Sequence, residues 1–598
     1  MLYFDVRAAL RPGENELLVR IGADRAALPP GMPEGFDFEK TRYIPGIFDS
    51  VELILSGTPH IENIQVAPDL VGARARVQAQ LRNVGQATTA HLEFTVREAK
   101  SGRIVARVAS GPVSLPADTK QVTDVSIPLE DFHAWTPEDP FLYRLELDSG
   151  TDRVEAVFGM RTFQFDPQTK QALLNGKPYF MRGSNVTLYR FFEDAECGEL
   201  PWDETWVRQF HRKMKGMHWN CLRYCIGFPP EAWYRIADEE GILLQDEFPI
   251  WYGGRTWSKW PQALKRDAIA VEYVEWMRER WNHPSVVIWD ASNETASEET
   301  AAAVARVRGM DLSRRPWDSS YSAQRAPGDV FESHPYHYQN PQFRFPDIGR
   351  ESPVPQGNDL PNPGDHPVII NEYGWLWLNR DGTPTTLTAD LYRDILGPVS
   401  TTAQRRHLHA TYLAADTEYW RSHRQVAAVM HFTALGYSRA DGQTSDHWSD
   451  VRTLEWEPEF FRYVRDAFAP VGLRVDFWEL KVPAGQPVRI PVRLINDLES
   501  PWHGQVTLRL CRLDGASGQR EFSAECDLAS YGQDEVAFEL SWPEEPGPWK
   551  IEAELTGSTG QPIRSLREIE VVSRRSEDVH DPADRRLRSG QSRGAGRR

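Results

Sequence analysis

The sequence predicts a multidomain chain in which a (β/α)₈ barrel is flanked by β-sandwich domains. Three observations predict it. At 598 residues the chain is too long for one hydrophobic core. Residues 61–165 and 471–573 alternate apolar and polar side chains with period two, the mark of strands with one buried face. Between them, from residue 175 on, continuous apolar strands alternate with longer helical patterns, as a parallel sheet with helical crossovers requires.

Residues 1–60 read as short strands at 1–6, at 17–21 after the Pro12-Gly13 turn, and at 51–55 before Ser56-Gly57. They are too few to close a sandwich. No basic n-region or cleavage site precedes them, so no signal peptide is read and the compartment is left open. In 61–165, Ala73, Ala75, Val77, Ala79 and Leu81 alternate with Arg74, Arg76, Gln78, Gln80 and Arg82. Segments 92–96 and 142–147 repeat the pattern, which predicts an immunoglobulin-like sandwich. The barrel is expected over 166–470, with strands at 179–185, 221–224, 242–246, 286–292, 317–321, 330–333, 368–371 and 426–432. Its helices are expected at 203–217, 230–240, 263–281 and 298–308. The first of these places Trp206, Phe210, Met214 and Met217 on one face behind an Asp203 N-cap, and Gly241 stops the second. Over 471–573, Val488, Ile490, Val492 and Leu494 mark a second sandwich. The tail 574–598 lacks apolar residues to bury and is expected to be disordered.

Composition narrows the function. Apolar residues make up 40% and charged residues 26%, ordinary for a globular chain. A formal net charge of −18 argues against a nucleic-acid partner, because nothing attracts phosphate. No apolar run reaches membrane-spanning length, so no membrane partner is expected. The cysteines Cys197, Cys221, Cys225, Cys511 and Cys526 are too few for a disulfide framework and lack zinc spacing. Cys511 and Cys526 share one β-rich stretch, where a pair and two free thiols are both open.

In a (β/α)₈ barrel the active groups come from the C-terminal ends of the strands. Asp246 and Glu247 follow strand three, Asn293-Glu294 follows strand four, and Asn371-Glu372 follows strand seven. Two glutamates on opposite walls suit glycoside hydrolysis, in which one carboxylic acid protonates the leaving oxygen and a second carboxylate attacks the anomeric carbon. Asn293 is placed to bind a sugar 2-hydroxyl. Arg223, at the end of strand two, is a suitable cation to keep Glu372 charged. An Asn-Glu pair alone also fits a helix cap or a surface residue; the pairing on strands four and seven carries the reading.

The motifs also resemble glycoside hydrolase family 2, the family of β-galactosidases, β-glucuronidases and β-mannosidases, over almost the whole chain. Phe4-Asp5-Val6 with Gly13-Glu14-Asn15 is similar to the late part of the family's sugar-binding jelly roll, and Tyr43-Ile44-Pro45-Gly46-Ile47-Phe48 to its Gly-Ile motif. Trp135-Thr136-Pro137-Glu138-Asp139-Pro140 resembles the end of its immunoglobulin-like domain, and Phe158-Gly159-Met160-Arg161 the entry to its barrel. Asn220-Cys221-Leu222-Arg223 resembles its strand-two motif. Asn282-His283-Pro284-Ser285 with Ser292-Asn293-Glu294 resembles its acid/base signature, and Asn371-Glu372-Tyr373-Gly374 its nucleophile signature.

The resemblance implies a retaining exo-β-glycosidase with Glu294 as acid/base, Glu372 as nucleophile, and Asn293 and Arg223 in support. His334 and Tyr336 are candidates to line the sugar pocket. Trp251, Trp375 and Trp377 are candidate stacking platforms, although core packing suits each as well. Residues 1–60 would be only part of the jelly roll. No Asn-x-Lys pair of the kind that grips a uronic acid follows strand eight, and no clear magnesium ligand set is present, so no cofactor and no essential metal are expected. A β-linked glycoside or oligosaccharide is the expected partner, with galactoside narrowly preferred over mannoside and glucuronide; a homo-oligomer is compatible with this. A carbohydrate-binding protein with little catalysis is the reading of another class, resting on the short first domain.

Overall fold

The computed structural model describes residues 4–19, 46–194, 197–251, 260, 264–322, 326–352, 366–514, 518–557 and 562–573. The chain divides into two compact units. The first holds residues up to 341 with 352–409 and 423–461; the second holds 342–351, 410–422 and everything from 462.

In the first unit, His60–Asp69, Arg74–Arg82 and Lys120–Pro128 form one antiparallel sheet. Ile104–Ala109, Glu93–Glu98, Tyr143–Asp148 and Arg153–Phe158 form a second. The period-two reading holds in detail: Ala75, Val77, Ala79 and Leu81 are buried and enter one core with Phe94, Val96, Leu145 and Leu147.

Eight parallel strands follow. They are Met181–Val186, Cys221–Tyr224, Leu243–Glu247, Val286–Asp290, Trp317–Asp318, Phe331–Ser333, Val368–Ile370 and Ala428–Leu435. Their spatial order is five-four-three-two-one-eight-seven-six. An isolated parallel bridge between Asp318 and Val330 brings five against six, so the ring closes as a (β/α)₈ barrel. Gly183 is required where strands one and two meet, because a Cβ there would lie 1.8 Å from the Cys221 carbonyl oxygen. Between the first two crossings run Glu204–Gly216, capped by the Asp203 carboxylate, and Glu231–Glu240, ended by Gly241 in the left-handed region at φ +71°.

The barrel interior is layered. Its lower half is apolar, with Met181, Cys221, Leu243, Val287, Ile288, Ile369, Ala428 and Met430 packed on Phe163, Phe165 and Trp135, which plug the N-terminal end. Polar groups crowd the upper half, where Arg223, Glu247, Asp290, Asp318 and Glu332 are all fully buried. The Asn282-His283-Pro284-Ser285 segment lies at the foot of strand four, away from Glu294. There the Asn282 amide accepts from Val66 N at 2.8 Å and donates to Ile64 O at 3.0 Å, and Arg161 Nη2 donates to Pro284 O at 2.6 Å. These residues clamp the sandwich to the barrel.

In the second unit, two further antiparallel-rich sheets close a sandwich around Val492, Leu494, Val506, Leu508, Ile551 and Val571.

Three expected strands do not form over their described residues. Segment 51–55 forms no strand, and Val51, Leu53, Ile54 and Leu55 stand exposed at 64–80%. Residues 4–6 and 17–19 form no strand either; the remainder of 17–21, residues 1–3 and 43–45, and the tail from 574 lie outside the described residues. A strand needs a neighbour for its N–H and C=O groups, and among the described residues none of these segments pairs with a strand. Cys511 and Cys526 are free thiols: their strands pair in a register that sets Cys511 against Gln519 and Cys526 against Gly504.

Candidate active site

Two glutamates and one histidine meet at the C-terminal mouth of the barrel. One oxygen of Glu294, one of Glu372 and a ring nitrogen of His334 all lie within 4.8 Å of one another. Glu294 follows strand four and sits at φ +42°, a left-handed conformation that is strained for a residue with a Cβ. The turn is fixed from both sides. Asn293 N donates to Ile250 O at 2.9 Å, and Thr295 N donates to Ser320 Oγ at 2.8 Å. The Glu294 side chain keeps some access to solvent, at 17%, and its Oε1 faces His334 Nδ1 at 2.9 Å and the Tyr321 hydroxyl at 3.3 Å.

Glu372 is more enclosed. Its Oε1 accepts from Arg223 Nη1 at 2.6 Å and its Oε2 from the Tyr336 hydroxyl at 2.6 Å. His334 Nδ1 lies 3.6 Å from the same Oε2. Burial pushes the Glu372 carboxyl up, but the charges of His334 and Arg223 and the Tyr336 hydrogen bond outweigh it and hold it below the usual range. Glu372 is therefore ionised at neutral pH.

Arg223 is the hub. Its guanidinium is fully buried and meets Glu247 at 2.5 Å, Glu372 at 2.6 Å, Asp290 at 2.9 Å and Glu332 at 3.4 Å. Asn293 Oδ1 accepts from its Nη2 at 3.0 Å. The planar fork with its five donors suits this multiple pairing as a lysine would not. Facing it are more buried carboxyls than cations, and protons resolve the excess. Burial raises Asp290 to about 7, and burial also holds Glu247 well above its ordinary value. Glu332 goes the other way: burial opposes its charge, but His334, Arg223 and the Ser320 hydroxyl bring it down to about 2. His334, with its Nε2 at 3.3 Å from Glu332, is opposed by burial but driven well above the ordinary imidazole range by Glu372 and Glu332, so it is a cation here.

The expected site residues Glu294, Glu372, Asn293, Arg223, His334 and Tyr336 are thus brought into one hydrogen-bonded constellation. Trp251 and Trp375 adjoin it in an apolar cluster with Cys225, Ile226, Trp377, Phe432 and Tyr336. The Trp375 and Tyr336 ring centroids are 5.3 Å apart, and the Arg190 guanidinium lies 5.8 Å from the centre of Trp251. Sequence reasoning missed Asp290, Asp318, Glu332 and Tyr321. An acidic residue inside a short apolar strand was the available signal. Asp290, Asp318 and Glu332 also have metal-ligand spacing, with one oxygen each inside 4.8 Å. Gln245 and Asn371 donate N–H bonds into this triad at 2.8–3.2 Å, and the Ser320 hydroxyl donates to Glu332 at 2.6 Å.

Residues 59–161 match the model of glycosyl hydrolases family 2, and residues 167–393 match that of the family's TIM barrel domain. A β-galactosidase of Enterobacter cloacae is 29% identical over 324 residues, covering 49% of this chain and 28% of that protein. A putative β-glucuronidase of Formosa agariphila is 29% identical over 195 residues, covering 30% of this chain and 17% of that protein. The matched part of the chain therefore spans well under half the length of these relatives. Among solved structures, a β-D-mannosidase of Dictyoglomus thermophilum shares the fold with a TM-score of 0.60 at 14% identity, covering 86% of this chain and 66% of that one.

Proposed function

The chain belongs to glycosyl hydrolases family 2, and on that premise we propose that it is a retaining exo-β-glycosidase, with Glu372 as nucleophile and Glu294 as acid/base. One observation carries the reading: the two carboxylates face each other across the barrel mouth with oxygens inside 4.8 Å. Retaining enzymes hold their pair about 5–5.5 Å apart, whereas an inverting enzyme needs roughly 6.5–9.5 Å to admit a water.

In the first step Glu294 donates a proton to the glycosidic oxygen as the bond to the anomeric carbon breaks. Glu372, ionised and oriented by Arg223 and Tyr336, attacks that carbon from the opposite face and forms a glycosyl ester. In the second step Glu294, now ionised, takes a proton from water, which displaces Glu372 and returns the sugar with its configuration kept. As the ester forms, the negative charge of Glu372 disappears, while His334 Nδ1, 2.9 Å from Glu294 Oε1 and 3.6 Å from Glu372 Oε2, holds the two side chains in register. A terminal β-galactoside is the preferred substrate class, in line with the names of several relatives; β-mannoside and β-glucuronide are the alternatives that other relatives' names supply.

The test is chemical rescue. Glu294→Ala should lose turnover of substrates with poor leaving groups, and azide should restore it on activated aryl β-glycosides with a β-glycosyl azide as product. Wild-type rates in both Glu294→Ala and Glu372→Ala would sink the assignment.

A further inference from the structure

Aromatic rings continue outward from the pocket along the catalytic face. The Tyr189 ring lies against Gly227, where an added Cβ would come within 2.5 Å of it, and Gly227 stands two residues beyond Cys225, whose sulfur is 3.8 Å from Glu372 Oε1. From Tyr189 the rings run to Phe48 at 5.9 Å and Phe192 at 5.7 Å, and from Phe192 to Trp202 at 4.9 Å between centroids. Tyr189, Phe192 and Phe48 are half-buried, and Trp202 is 46% exposed. Trp202 is the one tryptophan among the large exposed hydrophobics of the described residues, and two contacts orient it. It stacks on Phe192 with 16° between the planes, and its indole N–H donates to Phe48 O at 2.5 Å. One face therefore packs on Phe192 and the hydrogen bond fixes the orientation, while 46% of the residue stays exposed.

A rigid indole face beside a sugar-cleaving pocket matches the apolar CH face of a pyranose. Such stacking needs no charge and tolerates different hydroxyl patterns. The turn carrying this row also joins it to the pocket, because Arg190, next to Tyr189, lies under Trp251 and Phe432 of the apolar cluster beside Glu372. We propose that Tyr189, Phe192 and Trp202 form a ledge that binds the leaving-group sugars of a β-linked oligosaccharide, so that the preferred substrate is an oligosaccharide and not a simple glycoside. This rests on the glycosidase reading above. It adds the residues that would recognise the part of the substrate beyond the cleaved bond.

The experiment compares two substrates of one sugar. The β-galactosyl fluoride has no sugar on the leaving side, and β-1,4-galactotriose has two; the mannose or glucuronic acid counterparts replace them if aryl glycosides select that sugar. Trp202→Ala should lower kcat/KM on the trisaccharide roughly tenfold, mainly through KM, while the fluoride stays within about twofold. Trp202→Phe should restore most of the loss. An equal loss on both substrates, or none on either, would overturn the ledge while leaving the glycosidase reading intact. Failure of the wild-type protein to turn over any of the fluorides would overturn both.

Discussion

Replacing Arg223 by methionine tests the electrostatic core of the site. The methionine keeps much of the side chain's length and removes its charge. Arg223 is fully buried and approaches four carboxyls at 2.5–3.4 Å, so its loss leaves those groups buried without their cation. Breaking a buried pair by removing one partner costs about 3–5 kcal/mol. Unfolding entropy grows with chain length, and for a unit of roughly 440 residues each kcal/mol moves the melting temperature by roughly 1 °C, so the barrel should melt roughly 3–5 °C lower. The loss has a definite pH dependence. Without the cation the carboxyls of Glu247, Asp290, Glu332 and Glu372 titrate higher in the folded than in the unfolded chain, so the folded state binds more protons and stability falls as pH rises above the unfolded carboxylate range. The gap between variant and wild type should therefore be wider at pH 8 than at pH 5. The acid limb of kcat/KM, which follows ionisation of Glu372 in the free enzyme, should move to higher pH. Scanning calorimetry at the two pH values and a pH profile on an activated aryl glycoside provide the readouts. A variant that melts within a degree of wild type at pH 8 and keeps the wild-type acid limb would refute the reasoning.

Tyr336→Phe removes the 2.6 Å hydrogen bond to Glu372 and nothing else of size. A hydrogen bond to a charged acceptor is worth about 1.5–3 kcal/mol, so kcat/KM should fall roughly 10- to 100-fold and its acid limb should rise by about 1–2 pH units. A rate loss with an unmoved limb would show that the hydroxyl does not tune the nucleophile. Acid stability should reflect His211 and His409, which burial pushes to about 4, and His431, which burial pushes to about 3. Because these folded values lie below that of an unfolded imidazole, the unfolded chain gains protons first as pH falls below about 6.5, and at pH 5 each residue removes on the order of 2 kcal/mol. His283 opposes them: burial disfavours its charge, but Asp238 and Glu231 raise it to about 10, so its contribution is present below the unfolded value and fades only as pH rises through 10. From pH 7.5 to pH 5 the melting midpoint of a His431→Gln variant should fall less, or rise more, than that of the wild type, and an equal change in both would contradict this account of the buried imidazole.

The parts of the fold that could be read from the sequence are those with a local rule. Ala75, Val77, Ala79 and Leu81 alternate because one face of their strand is buried, and Asp203 and Gly241 mark helix ends because backbone groups there need a cap or a left-handed turn. Glu294 and Glu372 were legible because each ends an apolar strand. Strands five and six were harder, since Trp317–Asp318 and Phe331–Ser333 offer only two and three residues of ladder. Asp318 and Glu332 point into the barrel, so an apolar rule reads them as interruptions, when they are the groups that hold Arg223, Gln245 and Asn371 in place. The misreading of 51–55 as a strand has the opposite cause: its composition favours extended chain, but strand formation depends on a partner that local sequence does not specify. The Asn282-His283-Pro284-Ser285 motif was legible as a motif but not in its role, because the clamp it forms with Val66 and Arg161 joins residues far apart in sequence.

The account turns on Glu372 as the covalent nucleophile. A 2-deoxy-2-fluoro-β-glycoside of the preferred sugar with a good leaving group slows both steps and lets the glycosyl-enzyme accumulate, so mass spectrometry of the digested protein can locate the label. The account predicts one sugar per chain, carried on the peptide containing Glu372 and absent from Glu372→Ala. A label on another residue, or turnover of the parent glycoside with no label and an α-configured first product, would contradict it.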